Sequence, residues 1–197
     1  MPSLTLPLGA RVIATCDPSL DFEARSVLQL FEEFESTGSP ILDGRSIPFG
    51  WSQLSVHARG DDLILCEPRF DGDPFVEVSD DITQTLSVLV DQAALVQRLG
   101  VASQPTAFHD EIVVACGALD QPRIYCERSE SGWYIGRSDA DAEGEVECET
   151  LRVYQLLQRR PALLAVMALP VGTLVAFTGD SIEAVLDERD TDLWHPS

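Results

Sequence analysis

The alternation of apolar and polar positions divides the chain into short strands and two long helices. Residues 10–15 form an apolar run of strand length. In residues 20–36, Val27, Leu28, Phe31 and Phe34 recur at helical spacing, and Gly38 and Pro40 stop that helix. Strand patterns at 47–57 and 62–67 flank Arg59-Gly60-Asp61 and predict a hairpin, followed by a loop over 66–74 with Gly and Pro punctuation. A second helix is predicted over 81–99. Asp81 and Gln84 are spaced for a capping box, Leu86, Val90, Ala93 and Val96 form its apolar stripe, and Gly100 ends it.

Residues 101–106, which contain Pro105, read as a linker, and strands then resume. Apolar runs at 111–116, 122–127 and 132–136 are separated by turn residues. A helix is predicted over 150–160, and Pro161 opens a further helical turn over 162–169. A last hairpin joins 171–177 to 182–186 across Thr178-Gly179-Asp180. The pattern predicts an α+β fold of two small lobes, 1–104 and 105–197, each an antiparallel or mixed sheet with a helix packed on it. Each half holds a Gly-Trp pair, Gly50-Trp51 and Gly132-Trp133. Each also has a Thr-Leu-x-Val segment, at Thr85 and at Thr150, as distant copies of one domain would.

Charge narrows the function classes. The 197 residues carry 33 acidic and 13 basic side chains, a formal charge of −20, and no lysine. That balance disfavours nucleic-acid phosphates and anionic membranes as partners, and it speeds encounter with a basic protein. The five cysteines, Cys16, Cys66, Cys116, Cys126 and Cys148, form no C-x-x-C pair, which fits a reducing compartment. Residues 1–10 lack the features of a signal peptide and no apolar run is long enough to span a bilayer, so a cytoplasmic location is expected.

Catalytic signatures are missing: no G-x-G-x-x-G, Walker loop, H-E-x-x-H or G-x-S-x-G. Neither an enzyme nor a bound cofactor is expected. His57, His109 and His195 are isolated, and a His57–Cys66 couple would need the fold to assemble it. The pairs Asp71/Asp73, Asp139/Asp141 and Asp190/Asp192 keep a metal-dependent hydrolase open as a lesser alternative. The most unusual segment alternates acids at Asp139, Asp141, Glu143, Glu145, Glu147 and Glu149. An extended backbone places all six on one face, neighbours about 7 Å apart. At that spacing they repel, and a cationic surface relieves the repulsion. A solvated acidic loop is the bland alternative. Glu32, Glu33 and Glu35 add acids near the end of the first helix, where they oppose its dipole.

Motifs in the second half point further. Ser131-Gly132-Trp133, Gly136 and the following acids, then Pro161 to Leu164 and Leu169-Pro170-Val171-Gly172-Thr173, resemble the immunity-protein-33-like domain over roughly 110–190. Arg137-Ser138, between Gly136 and the first acid, departs from the family pattern. The first half, with Ile47-Pro-Phe-Gly-Trp-Ser52 and Cys66-Glu-Pro-Arg-Phe70, looks like an additional domain found in similar immunity proteins. The resemblance implies a protein that binds a cognate toxin delivered between competing bacteria, as by type VI secretion, and covers its active cleft. A nuclease toxin must be basic to hold phosphates, and a −20 chain complements it. The six alternating acids, Glu32, Glu33, Glu35 and Trp133 are the candidate contacts. An acidic adaptor for a basic host protein is the alternative.

Overall fold

The computed structural model describes residues 1–5, 11–138 and 146–195. The chain divides into two compact units, Met1–Val90 and Asp91–Ser197.

The first unit holds β1 (Ser3–Thr5), β2 (Arg11–Ile13), α1 (Asp21–Ser36), β3 (Ser46–Phe49), β4 (Ser52–Arg59), β5 (Asp62–Pro68) and β6 (Val78–Ser79). Its mixed sheet runs β1-β2-β5-β4-β3, with β6 also paired to β5. Only β2 and β5 are parallel, and their connection carries α1. Strict alternation in β4 buries Leu54 and Val56. Together with Val12, Ala14 and Leu65 they receive Ala24, Val27, Leu28 and Phe31 of α1. The helical spacing of Val27, Leu28 and Phe31 thus marks the buried face, while Phe34 sits half out, with Arg45 over its ring at 5.7 Å.

The expected strand 47–57 is two strands. Gly50, at φ 59°, and Trp51 form a two-residue turn that pairs Phe49 with Ser52. A side chain at Gly50 would also strike Leu89, so the turn is closed to larger residues. Trp51 is fully buried and stacks on Phe70 at 5.0 Å.

Helix α2 (Thr83–Leu99) begins in the first unit and ends in the second. Asp81 does cap its start, accepting from Thr83 N at 2.9 Å. The reciprocal half of the expected capping box is replaced, because Ser79 Oγ takes the Asp81 N–H at 3.1 Å. The buried side of α2 carries Thr85, Leu86, Val88, Gln92, Leu95 and Leu99, so of the expected stripe Leu86 is buried and Val96 half-buried, while Val90 and Ala93 are exposed. Polar Gln92 shares that buried face because its side chain donates to the Leu164 carbonyl at 2.9 Å.

The second unit holds β7 (Glu111–Ala115), β8 (Arg123–Ser129), β9 (Gly132–Arg137), β10 (Cys148–Arg152), α3 (Leu156–Arg159), β11 (Leu174–Thr178) and β12 (Ser181–Leu186). Its sheet runs β10-β7-β9-β8-β11-β12 and is antiparallel except between β7 and β9. The expected helix over 150–160 is mostly something else. Thr150 and Leu151 lie in β10, Val153–Gln155 is a 3-10 turn, and α3 is a single turn. The apolar segment Pro161–Ala168 is likewise 3-10.

Both units share a three-strand plan: a hairpin whose second strand lies parallel to an earlier strand. The matched sequence pairs do not occupy equivalent places in it. Trp51 sits in a turn and Trp133 inside β9, while Thr85 is helical and Thr150 is in a strand.

Candidate functional site

The sheet of the second unit sorts its side chains by register into two faces. Val114, Ile135, Cys126, Val175 and Val185 are successive cross-strand partners on neighbouring strands, and all are fully buried. The next row shows the opposite face: Thr150, Val113, Tyr134, Glu127, Leu174 and Leu186. A third row on that outer face includes Gly136, Tyr125, Ala176 and Ala184. Tyr125 and Tyr134 are half-buried and their rings meet at 5.8 Å. Side chains at i and i+2 share a face, so the outer surface is aromatic and aliphatic at its centre, with Glu127 its only charge in these two rows.

The family-like motifs serve this sheet. Gly136 leaves space for the Tyr125 ring, whose atoms stand 2.4 to 2.6 Å from where a Cβ would lie. Gly132 adopts φ 117° after the β8–β9 turn. Trp133 is only 2% exposed, and its Nε1 donates to Thr106 Oγ1 at 2.9 Å. In this conformation it anchors the core and offers no surface to a partner. Gly172, at φ 85°, donates from N to the Arg128 carbonyl at 2.8 Å. Residues 101–106 are tied into the same unit, since Gln104 N and Thr106 N donate to the Ala168 and Met167 carbonyls.

Two arginines hold the irregular connections. Arg128 donates to the Gln104 and Leu169 carbonyls and lies over Trp133 at 5.6 Å. Its partial burial lowers its pKa from the usual arginine value. Arg160, 6% exposed, donates to the carbonyls of Leu119, Gln121 and Gly179. It also stands 3.5 Å from Asp180. Neither role is visible in sequence, because the acceptors are main-chain oxygens up to 41 residues away.

Of the six alternating acids, Asp139, Asp141, Glu143 and Glu145 lie outside the described residues. Glu149 lies in β10, and Glu147 extends the pairing, its carbonyl accepting from Cys116 N at 2.8 Å. An extended backbone directs these two side chains to the same side. Glu147 is exposed, while Glu149 meets Arg159 at 3.4 Å. Glu32, Glu33 and Glu35 lie on α1 of the other unit. Glu35 is engaged internally: its Oε1 accepts from Ile41 N at 3.0 Å.

The other chemical candidates are used structurally. His57 Nε2 meets Ser55 Oγ at 3.0 Å, and Cys66 Sγ donates to Asp80 Oδ1 at 3.2 Å. Burial, with that carboxylate beside it, pushes the Cys66 thiol up to about 12, away from the thiolate a nucleophile needs. Asp73 and Asp192 accept main-chain N–H groups in turns. Among the described residues no group of three or more His, Cys, Asp or Glu is placed to hold a metal ion. Nor is any helix among them long and apolar enough to cross a membrane.

A mixed sheet covered on one face and aromatic on the other, in a strongly acidic chain, defines the class of an acidic α+β protein with a surface suited to contact. Residues 91–188 match the Imm33-like domain, and this half of the chain belongs to that immunity-protein family. The match begins where the second compact unit begins. No curated protein matches the chain. No solved structure matches it either.

Proposed function

We propose that this chain is an immunity protein that binds a cognate bacterial toxin and neutralises it by covering its active cleft. The Imm33-like match over the second unit carries the reading. Charge supports a basic partner: the first unit has 15 acidic and 5 basic residues, the second 18 and 8, so each contributes −10. Many of the arginines already face carboxylates, among them Arg11 with Asp62, Arg59 with Asp80 and Arg152 with Glu111. The surplus is left for an outside cation. A nuclease-type toxin, basic where it grips phosphates, fits such a surface, and the antidote then acts in the cytoplasm. We assign the contact to the outer sheet face around Tyr125 and Tyr134. Glu147 and Glu149 lie at the β10 edge of that sheet, and Asp139, Asp141, Glu143, Glu145, Glu32 and Glu33 serve as further steering charges. Aromatic side chains at the centre with polar groups at the rim are a common interface anatomy.

Co-expression with the product of the adjoining upstream reading frame, expected to be the toxin, tests this. Expected are restored growth and a one-to-one complex whose association slows as salt rises. Absence of association at low salt would sink the reading.

A further inference from the structure

The loop between β5 and β6 displays apolar side chains that a folded monomer has no need to expose. Phe75 is 55% exposed, Val76 79% and Val78 37%, all within four residues. The backbone beneath them is held in place. Arg69 N donates to the Glu77 carbonyl at 2.9 Å and closes the loop at its base. Asp73 Oδ1 accepts from Phe75 N at 3.0 Å, and the Asp73 carbonyl accepts from Val76 N and Glu77 N. The Arg69 guanidinium bridges Asp71 at 3.1 Å and Glu77 at 3.3 Å. Below, Phe70 stacks on buried Trp51. A side chain at Gly72 would meet Glu77 Oε2 at 2.7 Å, so the carboxylate lies close over the loop.

A loop fixed in this way loses little entropy on binding, and exposed apolar tips of this kind mark interaction sites. Its surroundings select the partner. Asp71, Asp73, Glu77, Asp80 and Asp81 outnumber the arginines beside them: Arg69 is occupied by Asp71 and Glu77, and Arg59 faces Asp80. A second copy of the chain would bring equal negative rims together, and an anionic membrane or nucleic acid would meet the same repulsion. We infer that residues 69–81 form a docking element for a basic protein, the Phe75-Val76 tip entering an apolar recess rimmed by arginine or lysine. The element lies in the first unit, outside the Imm33-like match.

This rests on the immunity reading, and the test separates the two. The probe is the purified product of the adjoining upstream reading frame, titrated against the full chain and its Val76→Glu and Phe75→Ala variants. Val76→Glu changes a residue almost wholly in solvent, so its thermal midpoint is expected to match the unaltered chain. Affinity is expected to fall tenfold or more, and amide exchange over 69–78 to slow in the unaltered complex. Should the unaltered chain not bind, the immunity reading fails and this inference with it. Should it bind and Val76→Glu bind equally, only the docking element is overturned. A dimer of the unaltered chain that Val76→Glu dissociates would assign the tip to self-association, which also overturns it.

Discussion

Glu67 shows how far one residue's environment can work against its charge. Its carboxylate is 3% exposed and accepts from Thr85 N at 2.6 Å, at the start of α2. Ser52, Thr85 and the Trp51 indole N–H complete a buried polar knot there. Burial pushes the Glu67 carboxyl up to about 7, against the hydrogen bonds that favour the anion. The folded state therefore keeps this proton above the pH at which the unfolded chain releases it. Stability from this group is full below about pH 4.5 and falls as pH rises toward 7, by roughly 3 kcal/mol for a shift of this size. Glu67→Gln is expected to lose that dependence, so denaturant melts at pH 5 and pH 8 should differ less than in the unaltered chain. An equal pH dependence in both proteins would show that the knot does not hold a proton. Arg160 makes the opposite case, a buried charge neutralised mainly by main-chain oxygens. Arg160→Met leaves three carbonyls short of a donor and is expected to cost about 3 kcal/mol in a denaturant titration. At this scale the sequence supplied residue types without partners. Trp133 stood out as an aromatic in a motif, yet its hydrogen bond to Thr106 is what places it in the core.

At the scale of elements, period and punctuation worked where the chain pairs with its near neighbours. The β4–β5 and β11–β12 hairpins turn at Gly60-Asp61 and Gly179-Asp180, as the glycines indicated, and α1 buries the face its spacing marked. The segment 150–160 misled because β10 pairs with β7, more than thirty residues earlier, and that long-range pairing overrides a helical local pattern. Gly136 shows the same dependence on a neighbour. In sequence it is a motif glycine; in the sheet it is the floor beneath Tyr125. Its backbone needs no special φ, so the requirement is space alone. Gly136→Ala is expected to cost 1 to 3 kcal/mol, about the usual penalty for overpacking. Tyr125→Ala in the same chain should recover most of that loss. Additive losses in the double-mutant cycle would mean that the ring and the glycine are not coupled.

For the whole molecule, the fold class and the charge were legible from the start. What lay hidden was the distribution of surface roles, because exposed apolar residues such as Phe75 and Val113 cannot be told from buried ones by type. The fold separates two kinds of surface, and they should act on different rate constants. Charges act over a Debye length and steer encounter, whereas a desolvated apolar contact acts once the complex has formed. Replacing Asp139, Asp141, Glu143, Glu145, Glu147 and Glu149 by their amides is therefore expected to slow toxin association about tenfold at low salt. It should also flatten the salt dependence and leave dissociation nearly unchanged. Val76→Glu is expected to speed dissociation by a similar factor, with association altered less. Stopped-flow mixing at two ionic strengths resolves both constants. If the six-fold amide variant associated as fast as the unaltered chain at low salt, the acidic run would serve solubility alone, and steering would have to come from carboxylates elsewhere on the two units.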